Sequence, residues 1–115
     1  MSLPLLSTRQ RDQLLANQAR RVAGDGLDLL PVVKLCLPDA DACWLLVSLD
    51  ADGDRAFGLI DAGTGFPELG EVSLSMLEGI RGPRGLAVAA APDFQPRQTL
   101  SAYLADAQRD GAATD

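Results

Sequence analysis

From Val32 to Leu49 the chain is apolar at nearly every position, broken only by Lys34, the segment Pro38-Asp39-Ala40-Asp41 and Ser48. Runs this continuous, bounded by proline and aspartate, predict strands covered on both faces. Val32 to Leu37 reads as strand one, Pro38 to Asp41 as a turn and Ala42 to Leu49 as strand two. A turn centred on Asp39-Ala40 sets Cys36 opposite Cys43 and Leu35 opposite Trp44. Asp50-Ala51-Asp52-Gly53-Asp54 is a second turn, and Arg55 to Ile60 a third strand. Two sequential hairpins make an antiparallel meander.

The period changes on either side of this block. Ser7 followed by Gln10 is a capping-box pattern for a helix starting at Thr8, with Leu14, Leu15, Ala19, Val22 and Ala23 mainly on one face. Arg20 and Arg21 fall where the helix dipole favours cations, and Gly24 closes the helix, opening the loop Gly24-Asp25-Gly26. Leu3 to Leu6 forms an apolar lead-in. Beyond strand three, Glu71 to Leu74 reads as a short fourth strand, and Ser75 with Glu78 as a capping box for a helix of one or two turns. Leu86 to Ala90 reads as a fifth, weaker strand or an extended arm. Pro92 and Pro96 frame a loop around Phe94. Thr99 is placed to cap a last helix through Leu100, Tyr103, Leu104 and Ala107, ended by Gly111 with a frayed tail at Ala112 to Asp115. The fold class is α+β: one domain, an antiparallel β-meander sheet with N-terminal and C-terminal helices packed on it. A chain of 115 residues suffices for one such core and is too short for two.

Charge narrows the partners. Residues 1–24 carry four arginines against Asp12, residues 25–78 carry eleven acidic groups against Lys34 and Arg55, and the rest balances, for a net charge of −6. The acidic middle disfavours nucleic-acid backbones and anionic lipid and suits a basic protein partner. Histidine is absent, which removes the usual general base near neutral pH and the commonest transition-metal ligand. The apolar tract at Met1 to Leu6 is too short for a signal-peptide core, and no run reaches membrane-spanning length. A cytoplasmic setting is therefore expected, with Cys36 and Cys43 reduced there and packed in the core, the alternative being a redox pair of cross-strand neighbours close enough to bridge.

The most distinctive stretch is Ala56 to Gly70, AFGLIDAGTGFPELG. A short strand reaches Asp61, and a glycine-rich loop follows with Gly63, Gly65 and Gly70 around Phe66-Pro67 and Glu68. A carboxylate at a strand end is expected to accept hydrogen bonds from the amides of the loop it precedes. Asp61 and Glu68 could instead form a paired-carboxylate site, with Arg81 nearby, if a cleft joined them. The loop lacks the lysine and the strand-loop-helix setting of a phosphate-binding loop. Asp50, Asp52, Asp54 and Asp61 imitate calcium-loop spacing, but Arg55 stands where that loop needs glycine. No catalytic residue, metal site or cofactor is assigned.

Several segments together resemble a known family. These are Pro31-Val32-Val33-Lys34-Leu35, the Pro38-Asp39-Ala40 turn, Trp44-Leu45-Leu46, Phe57-Gly58-Leu59, and Asp61 with Gly63. Gly65-Phe66-Pro67-Glu68-Leu69-Gly70, Arg81-Gly82-Pro83 and Leu100-Ser101-Ala102-Tyr103 complete the set. In this order the chain resembles the small bacterial proteins catalogued as domain of unknown function 2958. The resemblance implies a bacterial accessory protein carried on plasmids and other mobile elements, and supplies no activity. Three readings follow. First stands a non-catalytic interaction module using Asp61, Gly63, Gly65, Phe66, Pro67, Glu68 and Arg81 to meet a basic partner. Second is an inhibitor of a host defence nuclease whose acidic face imitates nucleic acid. Third is a small-ligand binder or enzyme centred on Asp61 and Glu68.

Overall fold

The computed structural model describes residues 5–24, 28–38, 40–63 and 65–111. Helix α1 spans Thr8–Val22, and strands β1 (Val33–Leu37), β2 (Ala42–Leu49), β3 (Arg55–Asp61) and β4 (Glu68–Ser73) follow. Then come helix α2 (Leu74–Gly79), the two-residue strand β5 (Ala89–Ala90) and helix α3 (Leu100–Asp110). The predicted tail at Ala112 to Asp115, Asp39 of the first turn, Asp25-Gly26 and Leu3-Pro4 lie outside the described residues.

The sheet is antiparallel throughout, in the order β4-β3-β2-β1-β5. Cys36 faces Cys43 and Leu35 faces Trp44, the pairing that the sequence predicts. The pleat sends Val33, Leu35, Trp44, Leu46, Leu49 and Ala56 into one buried cluster, joined by Leu14 of α1 and by Leu74 and Leu77 of α2. Leu45, Val47 and Leu59 build a second cluster on the other face with Leu100, Tyr103 and Ala107 of α3. Both faces are thus covered, as the near-continuous apolar runs require.

Two features of β2 and β3 fix their pairing. Leu46 pairs with Gly58 and Ser48 with Phe57, so Val47 is an extra residue in a β-bulge. The Val47 carbonyl is taken by Asn17 Nδ2 at 2.7 Å, and Asn17 Oδ1 accepts from Gln13 Nε2 at 2.9 Å. Asn17 is 4% exposed, a buried polar residue with both ends of its amide bonded. At Gly58 a Cβ would lie 1.9 Å from the Leu45 carbonyl oxygen, so only glycine permits this approach of β3 to β2.

The predicted helix starts need two corrections. Ser7 caps α1 with the full capping box, as expected. The cap of α2, however, is Ser73, whose hydroxyl accepts from the Met76 amide, and the Ser75 amide goes to Asp54 Oδ1 at 2.8 Å. Asp54 also receives the Ser73 hydroxyl at 2.6 Å, so a turn carboxylate anchors the helix start in place of Glu78. At α3, the Thr99 side chain makes no cap bond. Asp28 supplies it across the chain, accepting the Ser101 amide at 3.0 Å and the Ser101 hydroxyl. Those bonds, the hydroxyl foremost, hold the Asp28 carboxyl below its ordinary pKa.

Strand bounds shift as well. β4 begins at Glu68 rather than Glu71, because Ile60 and Leu59 find partners in Glu68 and Leu69, and Leu74 belongs to α2. The expected fifth strand contracts to Ala89–Ala90, which pairs with Cys36 and Leu35 on the outer edge of β1.

Asn17→Ala leaves the Val47 carbonyl buried without a donor and is expected to cost about 1–3 kcal/mol in urea denaturation. Gly58→Ala drives a methyl into backbone and should cost about 3 kcal/mol or more in the same measurement. Because the Asp28 pKa is lowered on folding, its contribution is present above the unfolded carboxylate value and is lost as pH falls through and below about 4. Asp28→Ala should lower stability at pH 7 by about 1 kcal/mol, the scale of a lost cap, and flatten that acid limb of a stability–pH curve.

Candidate functional site

Asp61 closes β3 and is only 3% exposed. Its Oδ1 accepts the Gly63 amide at 2.9 Å, the local bond expected of a carboxylate at this position. Gly63 sits at φ +79°, and a Cβ there would stand 3.2 Å from the Ala40 carbonyl oxygen. The loop therefore presses on the β1–β2 turn through a left-handed backbone that glycine adopts without strain. Gly65 turns the chain again at φ +86°. Pro67 is buried, while Phe66 stands 82% exposed between the two anchors. A large aromatic ring is thus held in solvent by a short loop fixed at both ends.

The remaining predicted site residues do not converge with Asp61. Glu68 pairs across from Ile60, the residue before Asp61, so the two carboxylates leave opposite faces of the pleat. Gly70, placed in the loop by the sequence pattern, lies within β4 opposite Gly58. Arg81 directs Nη1 to the carbonyls of Glu78 and Ile80 at 2.8 and 2.9 Å, closing the end of α2. A cleft of about 700 Å³ opens elsewhere, between Leu15, Ala19 and Val22 of α1 and the Leu49–Asp52 segment.

The calcium-like aspartates are occupied as turn and cap acceptors. Asp52 Oδ1 receives the amides of Asp54 and Arg55 at 2.9 and 3.1 Å, and those bonds lower its pKa. Asp54 is lowered too, first by the Ser73 hydroxyl and then by the Ser75 amide. Among the described residues, no group of three or more side chains is arranged to hold a metal ion.

Register brings together a row that the sequence pattern singled out only in part. Across β5, β1, β2 and β3 stand Ala89, Cys36, Cys43 and Asp61, each opposite the next. The two sulfurs are 2.7 Å apart, and both residues are half-buried. The hydrogen bond to Cys36, with partial burial, pushes the Cys43 thiol well above its ordinary pKa. Beside the loop, β4 forms one edge of the sheet, with Glu68 and Glu71 exposed and Leu69 39% exposed. The edge role of residues 68–70 was hidden in the sequence because Gly63, Gly65 and Gly70 around Phe66-Pro67 read together as one loop.

The family described as Protein of unknown function (DUF2958) matches residues 5–114, nearly the whole chain, and the protein belongs to it. No curated protein and no solved structure matches the chain. Among the described residues no helix is long and apolar enough to cross a membrane.

Asp61→Ala frees the Gly63 amide and should cost about 1–3 kcal/mol, with faster hydrogen exchange at Gly63 and Gly65 than at β2. Phe66→Ala, at an 82% exposed position, should change stability by less than about 0.5 kcal/mol in the same denaturation.

Proposed function

We propose that this member of the DUF2958 family is a non-catalytic interaction module that docks a basic segment of a partner protein. Phe66 provides the apolar anchor, and the adjoining edge of β4 provides backbone groups and the carboxylates of Glu68 and Glu71. The observation that carries this reading is Phe66 itself, 82% exposed on a loop pinned by Asp61 at one end and by buried Pro67 at the other. Exposed aromatic anchors on pre-organised loops bind with little ordering entropy, which is what makes such side chains interface hot spots. An edge strand can accept an extended peptide as a further strand, with main-chain bonds giving affinity and flanking side chains giving selectivity. The acidic balance of residues 25–78 favours a cationic peptide and speeds its encounter at low salt.

A photo-reactive phenylalanine analogue placed at position 66, compared with one at exposed Ala16 on α1, tests the proposal in cells of the native host. A discrete adduct is expected from position 66 and not from position 16, weakened several-fold by Glu68→Ala with Glu71→Ala and by added salt. Identical adduct patterns from both positions, or none from position 66, would overturn it.

A further inference from the structure

A second feature lies beside the docking loop and does not depend on that proposal. Cys36 and Cys43 are cross-strand neighbours on β1 and β2. The Lys34 carbonyl accepts the Ala91 amide at 2.8 Å, so the backbone groups of Lys34 and, by the pleat, of Cys36 turn toward β5 and away from β2. Cys36 and Cys43 therefore occupy a non-hydrogen-bonded site of the β1–β2 ladder. There the Cα atoms approach to about 4.5 Å, inside the roughly 4.4–6.8 Å range that a disulfide spans. The sulfurs already lie 2.7 Å apart. Both residues are half-buried, which leaves a path for a small reagent.

We propose that Cys36 and Cys43 are a dithiol–disulfide couple, closed across β1 and β2 by exchange with a low-molecular-weight disulfide, with Cys36 as the attacking sulfur. The Cys36 thiolate attacks one sulfur of the small disulfide, breaks its S–S bond and releases one small thiolate, leaving a mixed disulfide on Cys36. Cys43, losing its proton to solvent, then attacks the Cys36 sulfur and expels the second small thiol. Two protein thiols are oxidised to one disulfide, and one small disulfide is reduced to two thiols. The order follows from the register: buried Asp61 stands directly across from Cys43 on β3 and opposes a negative charge on that sulfur, whereas the outer neighbour of Cys36 is the uncharged Ala89.

The test equilibrates the folded wild-type chain in glutathione buffers of increasing oxidised fraction, followed by acid quenching, alkylation and intact mass measurement. The expected product lacks the mass of two hydrogens, takes up no alkylating reagent, and returns to the doubly alkylated form after treatment with dithiothreitol. Two alkylated thiols at full oxidation, or separate glutathione adducts on the two cysteines, would overturn the couple. For the order of attack, Cys43→Ser should trap a glutathione adduct at Cys36 at least about tenfold faster than Cys36→Ser traps one at Cys43. Equal rates, or the reverse ratio, would overturn that assignment. The wild-type titration needs no variant, so a variant that fails to fold leaves the test of the couple intact.

Discussion

The hydrogen bond from Asn17 to the carbonyl of Val47 holds the rest of the fold in register. Val47 is the extra residue of a bulge, and beyond it Ser48 and Leu49 meet Phe57 and Ala56. Without the extra residue every side chain past Leu46 would exchange faces, sending Ser48 into the first core cluster and Leu49 out of it. A bulge frees a carbonyl from the ladder, and a freed carbonyl inside a protein needs a donor. Asn17 supplies it from the middle of α1, so one bond satisfies the bulge and seats the helix on the sheet.

Carboxylates play a similar part at the ends of the other helices. Asp54 reaches the start of α2, and Asp28 reaches the start of α3 from 73 residues away. These are negative groups at helix N-termini, where exposed amides and the helix dipole both favour them. Part of the acidic character of residues 25–78 is therefore structural. The rest, including Glu68 and Glu71 on the free edge of β4, is what a partner would meet.

Asp61 connects the two halves of the functional picture. On one side it holds Gly63 and so sets the base of the loop that displays Phe66. On the other it faces Cys43, whose sulfur meets that of Cys36. The loop and the thiol pair thus share one end of the sheet, joined through a carboxylate buried from water.

Much of the architecture was legible in residue order alone. Apolar runs from Val32 to Leu49, the intervening Pro38–Asp41 turn and the Ser7–Gln10 pattern determined β1, β2, their register and the start of α1, because such signals are local and depend on period and turn chemistry. The exposed Phe66 and the Asp61–Gly63 bond followed from the same local logic. Tertiary structure alone decided the length of β4, the bulge at Val47, the contraction of the fifth strand, and the caps that Asp54 and Asp28 lend to distant helices. It also set Glu68 on the opposite pleat from Asp61, which dissolves the paired carboxylate that their spacing suggested. The reason is physical: a strand exists where a neighbouring strand offers partners, and a cap exists where any chain segment brings an acceptor. Neither condition is written in the residues that satisfy it.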